Sequence, residues 1–178
     1  MLEYNGGEPQ FSEDALIARA GFCAYSNTMP LFDEFTCECV YARGVGVSSS
    51  AFNAFVYGYQ KFGGNGRGAF YTPFQNRVCV CGNLNATNLL NGSGIHICVG
   101  TFNGETCNAY IDGITFANDQ TPYEKRSSSA WNMTIGALYG TSYSADGKVY
   151  AVRVYDRPLA YEEIAFNYEI DKKRFNLP

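Results

Sequence analysis

The chain is poor in charge, in tryptophan and in histidine: of 178 residues only 17% are Asp, Glu, Lys or Arg, with one Trp and one His. A single histidine, His96, excludes a metal site or a mechanism built on two imidazoles. No basic run exceeds Lys172-Lys173-Arg174 and the formal net charge is −4. That excludes the basic stripe displayed by nucleic-acid binders, so no nucleic-acid partner is expected. No stretch approaches the ~20 consecutive apolar residues that cross a bilayer, so no membrane insertion is expected. The opening residues Met1-Leu2-Glu3-Tyr4-Asn5-Gly6-Gly7 lack both a basic start and an apolar segment, so this chain is read as having no signal peptide. On that reading the protein either is not secreted by that route or is a piece of something longer.

Aromatic and glycine residues are plentiful instead, with 14 Tyr, 13 Phe and 19 Gly. Rings between Gly- and Asn-rich turns are the composition of stacked short strands. A helical bundle would need more Leu, Ala, Lys and Glu. The length fits one domain, large enough to bury a core without disulfide support. The seven cysteines stand at 23, 37, 39, 79, 81, 98 and 107. The odd count leaves at least one thiol unpaired within the chain, and Cys-x-Cys on a strand does not supply the ligand spacing of a zinc turn. Reduced, buried thiols acting as small hydrophobes are the expectation.

Asn-Gly at 5–6, 65–66, 91–92 and 103–104 and Asp-Gly at 112–113 and 146–147 mark tight turns. Between them strands are predicted at 35–43, 52–59, 77–82, 95–102, 106–111 and 148–155, with weaker signals at 21–26, 68–72, 114–117 and 132–136. Many short strands at regular spacing imply a sandwich or barrel. In the first of them Phe35, Cys37, Cys39 and Tyr41 alternate with Thr36 and Glu38, which places the first set between two sheets. Near the end the period changes. Pro158 through Tyr168 reads as a short helix, with Glu162 and Glu163 in its first turn and Ile164 and Tyr168 as an inner stripe.

The segment from Gly147 to Leu159, Gly-Lys-Val-Tyr-Ala-Val-Arg-Val-Tyr-Asp-Arg-Pro-Leu, followed by Glu163-Ile164, resembles the closing strand and helix of laminin-G-like jelly-roll domains of the concanavalin A-like lectin/glucanase superfamily. Phe35-Thr36-Cys37-Glu38-Cys39, the pair Thr101-Phe102-Asn103-Gly104 and Tyr110-Ile111-Asp112-Gly113, and Ile135-Gly136 match other segments of that family in the same order. The resemblance spans roughly residues 20 to 170. It implies an all-β fold, a two-sheet antiparallel jelly-roll sandwich with one short C-terminal helix. Residues 21–178 would form that domain, and residues 1–20 an N-terminal edge strand or arm. Ala160 stands where the family often has a capping Ser, which leaves the helix start without a side-chain cap.

Glycosidases of the superfamily carry Glu-x-Asp-x-x-Glu on one strand, and that pattern is absent here, as is a Gly-x-Ser-x-Gly elbow. Asp33-Glu34 and Glu162-Glu163 are adjacent pairs read as solvated charges and a helix first turn, and His96 as a polar residue at a strand start. The domain is therefore read as non-catalytic. Many family members hold calcium at a loop rim, and the donors here would be Asp112, Asn118, Asp119 and Asp146, all expected in turns. Sugar binding needs aromatic platforms beside polar groups. The candidates are Trp131, Tyr57, Tyr59, Tyr71, Tyr123, Tyr139 and Tyr143. Sequons at Asn85, Asn91 and Asn132 carry little weight in the absence of a signal peptide.

Two functions follow. One is a recognition module for a glycan or cell-surface protein. The other is a structural or adhesive virion component, such as a phage tail-fibre or decoration domain, which would make a homo-oligomer. The setting is then the extracellular surface or a virion. A glycoside hydrolase is the third reading.

Overall fold

The computed structural model describes residues 3–12, 14–19, 22–26, 28–30, 32–43, 55–57, 69–72, 77–80, 83–86, 94–120, 133–136 and 147–177. Its strands, in chain order, are β1 (Glu3–Asn5), β2 (Leu16–Ala18), β3 (Cys23–Ser26), β4 (Phe35–Arg43), β5 (Phe55–Tyr57), β6 (Ala69–Thr72), β7 (Arg77–Val80), β8 (Asn83–Ala86), β9 (Ile95–Phe102), β10 (Cys107–Ile111), β11 (Ile114–Gln120), β12 (Met133–Ile135) and β13 (Gly147–Tyr155). One helix, α1 (Tyr161–Arg174), follows. The strands form two antiparallel sheets. One runs β1-β3-β12-β5-β6-β7-β8 and the other β11-β10-β9-β4-β13-β2. This is the two-sheet sandwich that the residue pattern implies.

Alternation on β4 builds the core. Phe35, Cys37, Cys39 and Tyr41 point between the sheets with Phe22, Phe55, Tyr57 and Phe102. Phe35 meets Tyr57 edge-on at 5.2 Å and Phe102 at 5.9 Å. Such ring pairs add roughly 0.5–1.5 kcal/mol each beyond the area they bury. Cys23, Cys37, Cys39, Cys98 and Cys107 are free and buried, as expected of thiols acting as core hydrophobes. Burial pushes the Cys23 thiol up to about 12 and raises those of Cys39 and Cys98 as well, so these sulfurs stay protonated and inert.

The opposite face of β4 is covered too. Thr36, Glu38 and Val40 are buried because α1 lies over them, and Val40, Ile97, Val99, Tyr110, Leu159, Ile164 and Phe175 form a second apolar cluster there. The expected helix is real but longer, running from Tyr161 to Arg174, so that the basic cluster forms its last turn. Cations there complement the carbonyl end of the helix dipole. At its start, where no capping Ser stands, Glu163 braces the turn from within the helix. Its carboxylate accepts from the Ala160 backbone N–H at 3.0 Å and from both Arg157 guanidinium nitrogens at 2.7 and 2.6 Å. Thr36 pins the same segment to β4, donating to the Arg157 carbonyl at 2.9 Å and accepting from the Leu159 N–H at 2.8 Å.

The Asp112-Gly113 hairpin joins β10 to β11, with both residues at positive φ, 51° and 74°. Consecutive positive φ values are those of a type I′ turn. Gly113 also lies beneath the Tyr168 ring of α1, where a Cβ would sit 3.0 Å from a ring carbon. The hairpin and the helix therefore fix each other.

Candidate functional site

The two N-terminal strands lie on different sheets. β1 is an edge of one sheet, paired with β3, and β2 an edge of the other, paired with β13. Between them the flank of the sandwich opens into a cleft of about 570 Å³. Its floor is apolar, made of Leu16, Ala24, Ile135, Val149 and Val152, and its lips carry Tyr4, Phe11, Ser12, Asp14, Tyr150 and Arg174.

Each lip residue has a local reason for its place. Tyr4 stacks on Phe22 at 6.2 Å while 46% of its surface stays exposed. Phe11 sits on the connection between β1 and β2, in an isolated bridge with Leu16, and is 66% exposed. Ser12 closes a turn, its N–H and hydroxyl both donating to the Ala15 carbonyl. Tyr150 reaches the lip through a register shift: Val149 pairs with Tyr41 and Ala151 with Val40, leaving Tyr150 as the extra residue of a bulge. A bulge resets alternation and re-aims a side chain. Accordingly Val149, Val152 and Val154 pack between the sheets, whereas Tyr150, Ala151 and Tyr155 pack on the α1 side. The Tyr150 ring meets Phe175 edge-on at 5.2 Å, and Arg174 lies over the same Phe175 ring at 5.0 Å. Partial burial, and then the charge of Asp14, raise the Tyr150 phenol above its ordinary value and keep it a neutral donor.

Of the ring residues named from sequence, the structure corrects Tyr57. It was expected off the core, yet it is fully buried, its hydroxyl donating to the Pro30 carbonyl at 2.9 Å and accepting from the Phe32 N–H at 2.8 Å. Tyr57 stands two residues from Phe55 on β5, so the face that buries one buries the other. Tyr71 stands on β6 opposite Phe55 in the register. Trp131, Tyr59, Tyr123, Tyr139 and Tyr143 lie outside the described residues, as does Asp146.

Among the proposed calcium donors, Asn118 and Asp119 do not lie in a turn. β11 continues through them to Gln120, because it follows β10 back to Cys107. Asp112 is in its expected turn, but both its oxygens are engaged. One accepts from the Ile97 N–H at 2.9 Å, and the other meets His96 Nδ1 at 2.8 Å. His96 is thus held at its strand start by the hairpin. Among the described residues no cluster of three His, Cys, Asp or Glu side chains fits a metal ion.

A second polar cluster lies beneath α1. Arg153 binds Asp171 with both terminal nitrogens and Glu38 at 3.1 Å, and Asn167 donates to Glu38 at 2.8 Å and to the Tyr155 hydroxyl at 3.1 Å. Both carboxylates are about 1% exposed. The Asp171 hydrogen bond, followed by the attraction of both carboxylates, raises the Arg153 pKa further despite partial burial. Two carboxylates closed on one guanidinium face no substrate, so this cluster anchors the helix.

Nothing in the sequence marked the cleft residues as a site. Tyr4 and Phe11 lie in the N-terminal stretch that the family resemblance does not reach, and Tyr150 depends on a bulge that period-2 reading cannot place.

Comparison with known proteins agrees with the sandwich. No sequence among the curated proteins matches the chain. Among solved structures, the Trypanosoma rangeli sialidase in complex with sialic acid superposes with a TM-score of 0.68 at 16% identity over 93% of this chain, which spans 29% of that one. Domain 4 of AbnA, a GH43 extracellular arabinanase from Geobacillus stearothermophilus, in complex with arabinotriose, gives 0.66 at 10% identity, covering 93% of this chain and 86% of that one. The CBM40 of the Ruminococcus gnavus IT-sialidase gives 0.62 at 12% identity, covering 88% and 97%. These likenesses concern fold. The family model for laminin-G-type domains matches residues 42–165, most of the sandwich, and the chain belongs to that family of the concanavalin A-like lectin/glucanases superfamily.

Proposed function

We propose that this domain is a non-catalytic carbohydrate-recognition module and that its glycan lies in the cleft between β1, β2 and β13. The observation that carries the reading is the composition of the lips: three rings, Tyr4, Phe11 and Tyr150, beside a hydroxyl, a carboxylate and a guanidinium. Sugar rings present an apolar C–H face that stacks on aromatics and an equatorial belt of hydroxyls that needs donors and acceptors. Two neighbours in fold support it: arabinotriose is bound in the AbnA domain 4 structure, and CBM40 denotes a carbohydrate-binding module. Both are matched over most of their length.

A glycan array probed with the full chain, Tyr4→Ala, Phe11→Ala and Trp131→Ala tests the reading. Binding that falls about tenfold or more in the Tyr4 and Phe11 variants, the loss of one stacking contact or more, supports the cleft. Binding lost only with Trp131→Ala would place the ligand elsewhere and overturn the cleft. A folded protein that binds no glycan would overturn the function.

A further inference from the structure

The lips of the cleft are not equivalent in charge, and the difference speaks to the kind of sugar. Arg157 is paired with Glu163, and Arg153 is shared by Asp171 and Glu38. Arg174 belongs to none of the ion pairs among the described residues, though it lines the cleft. Its guanidinium instead rests on the Phe175 ring at 5.0 Å. A cation–π contact of this kind holds the group in place and uses none of its N–H donors, which suits it to bidentate capture of a carboxylate. Phe175 is in turn braced edge-on by Tyr150, so the cation and one sugar-stacking ring share a single support.

Asp14 is on the lips as well, and its charge acts on the Tyr150 phenol. A carboxylate there repels a ligand that is anionic throughout and accepts from hydroxyls. The cleft therefore offers one place for a negative group, rings for an apolar C–H face and an acceptor for hydroxyls. A neutral sugar would offer the Arg174 fork only uncharged hydroxyl oxygens, and a densely sulfated polymer would meet Asp14.

Building on the carbohydrate reading above, we infer that the ligand is an acidic glycan whose sugar ring carries a carboxylate, bound by Arg174 while its hydroxyls donate to Asp14 and its C–H face lies on Tyr150 and Tyr4. The contact is non-covalent, and no bond is made or broken.

The test is an array, followed by calorimetry with the full chain, of matched pairs: an oligouronate and the neutral oligosaccharide in which each carboxylate is a hydroxymethyl group. The carboxylated member of a pair should bind about tenfold tighter, the worth of one charge-assisted bidentate contact. Arg174→Gln should erase that preference, weakening the carboxylated member far more than the neutral one, and Arg174→Lys should restore only part of it. Equal or better binding of the neutral member, or a preference that survives Arg174→Gln, overturns the acidic-sugar inference. If neutral binding remains sensitive to Tyr4→Ala in that case, the carbohydrate reading stands alone. A blank array with folded protein removes both. Arg174 is exposed, so an unchanged melting temperature confirms that the variants are folded.

Discussion

Arg153 on β13 holds Asp171 on α1 through both guanidinium nitrogens, Nη1 to Oδ2 at 2.6 Å and Nη2 to Oδ1 at 2.7 Å. Nη1 also reaches Glu38 of β4 at 3.1 Å, so one side chain ties the closing helix to two neighbouring strands. Asp171→Asn takes away the carboxylate that both guanidinium nitrogens grip and leaves Glu38 as the charged partner of Arg153. The variant should therefore cost about 1.5–3 kcal/mol in urea denaturation, the worth of a hydrogen bond to a charged group. Replacing all three groups by apolar residues of similar size should recover most of that loss. An Asp171→Asn protein as stable as the parent would show that the clasp contributes nothing.

Tyr57 gives a sharper separation of stability from function. Its hydroxyl ties the Pro30–Phe32 segment to β5 through one donated and one accepted hydrogen bond. Tyr57→Phe removes both and leaves the ring in place, at a cost of about 1–3 kcal/mol in chemical denaturation. Because the residue is fully buried, glycan affinity should stay within about twofold, a change below 0.5 kcal/mol. Lost affinity at unchanged stability would contradict its place in the core.

The start of α1 has a pH signature. Hydrogen bonds from Arg157 and then from the Ala160 N–H lower the Glu163 carboxyl from 4.5 to about 2 in the folded protein. The unfolded chain therefore binds this proton more readily, so the stabilisation is fully present above about 4.5 and disappears as pH falls toward 2. Melting temperatures of the parent and Glu163→Gln should differ at neutral pH and converge through that window. The group is exposed and screened, so the difference is small and shrinks further in salt. A gap that persists unchanged at pH 2.5 would assign the effect to packing instead.

Much of the architecture was legible because it depends on local chemistry. Alternation at 35–41 assigned the inner face of β4, and Asp112-Gly113 marked the β10–β11 hairpin because that dipeptide tolerates positive φ. The closing motif carried the family. The candidate site was hardly legible. Among the rings chosen from sequence, Tyr57 fell in the core, because whether the ring of a strand faces in or out depends on a second sheet the strand does not encode. β11 outran its expected end, so Asn118 and Asp119 became strand positions.

Local chemistry alone carried the alternation on β4, the Asp112-Gly113 turn, the five described thiols as core residues and the helix near the end. Those follow from φ preferences and from which side chains tolerate water. Tertiary structure decided that the far side of β4 is roofed by α1, which turned Glu38 from an outward residue into half of a buried clasp. It decided that β1 and β2 join opposite sheets, and that Tyr150, at a bulge, lines the same cleft as Arg174. The cleft comes from residues at the two ends of the chain. Their meeting rests on inter-strand register, which is set by the fit of the whole sandwich and leaves no trace in any single segment.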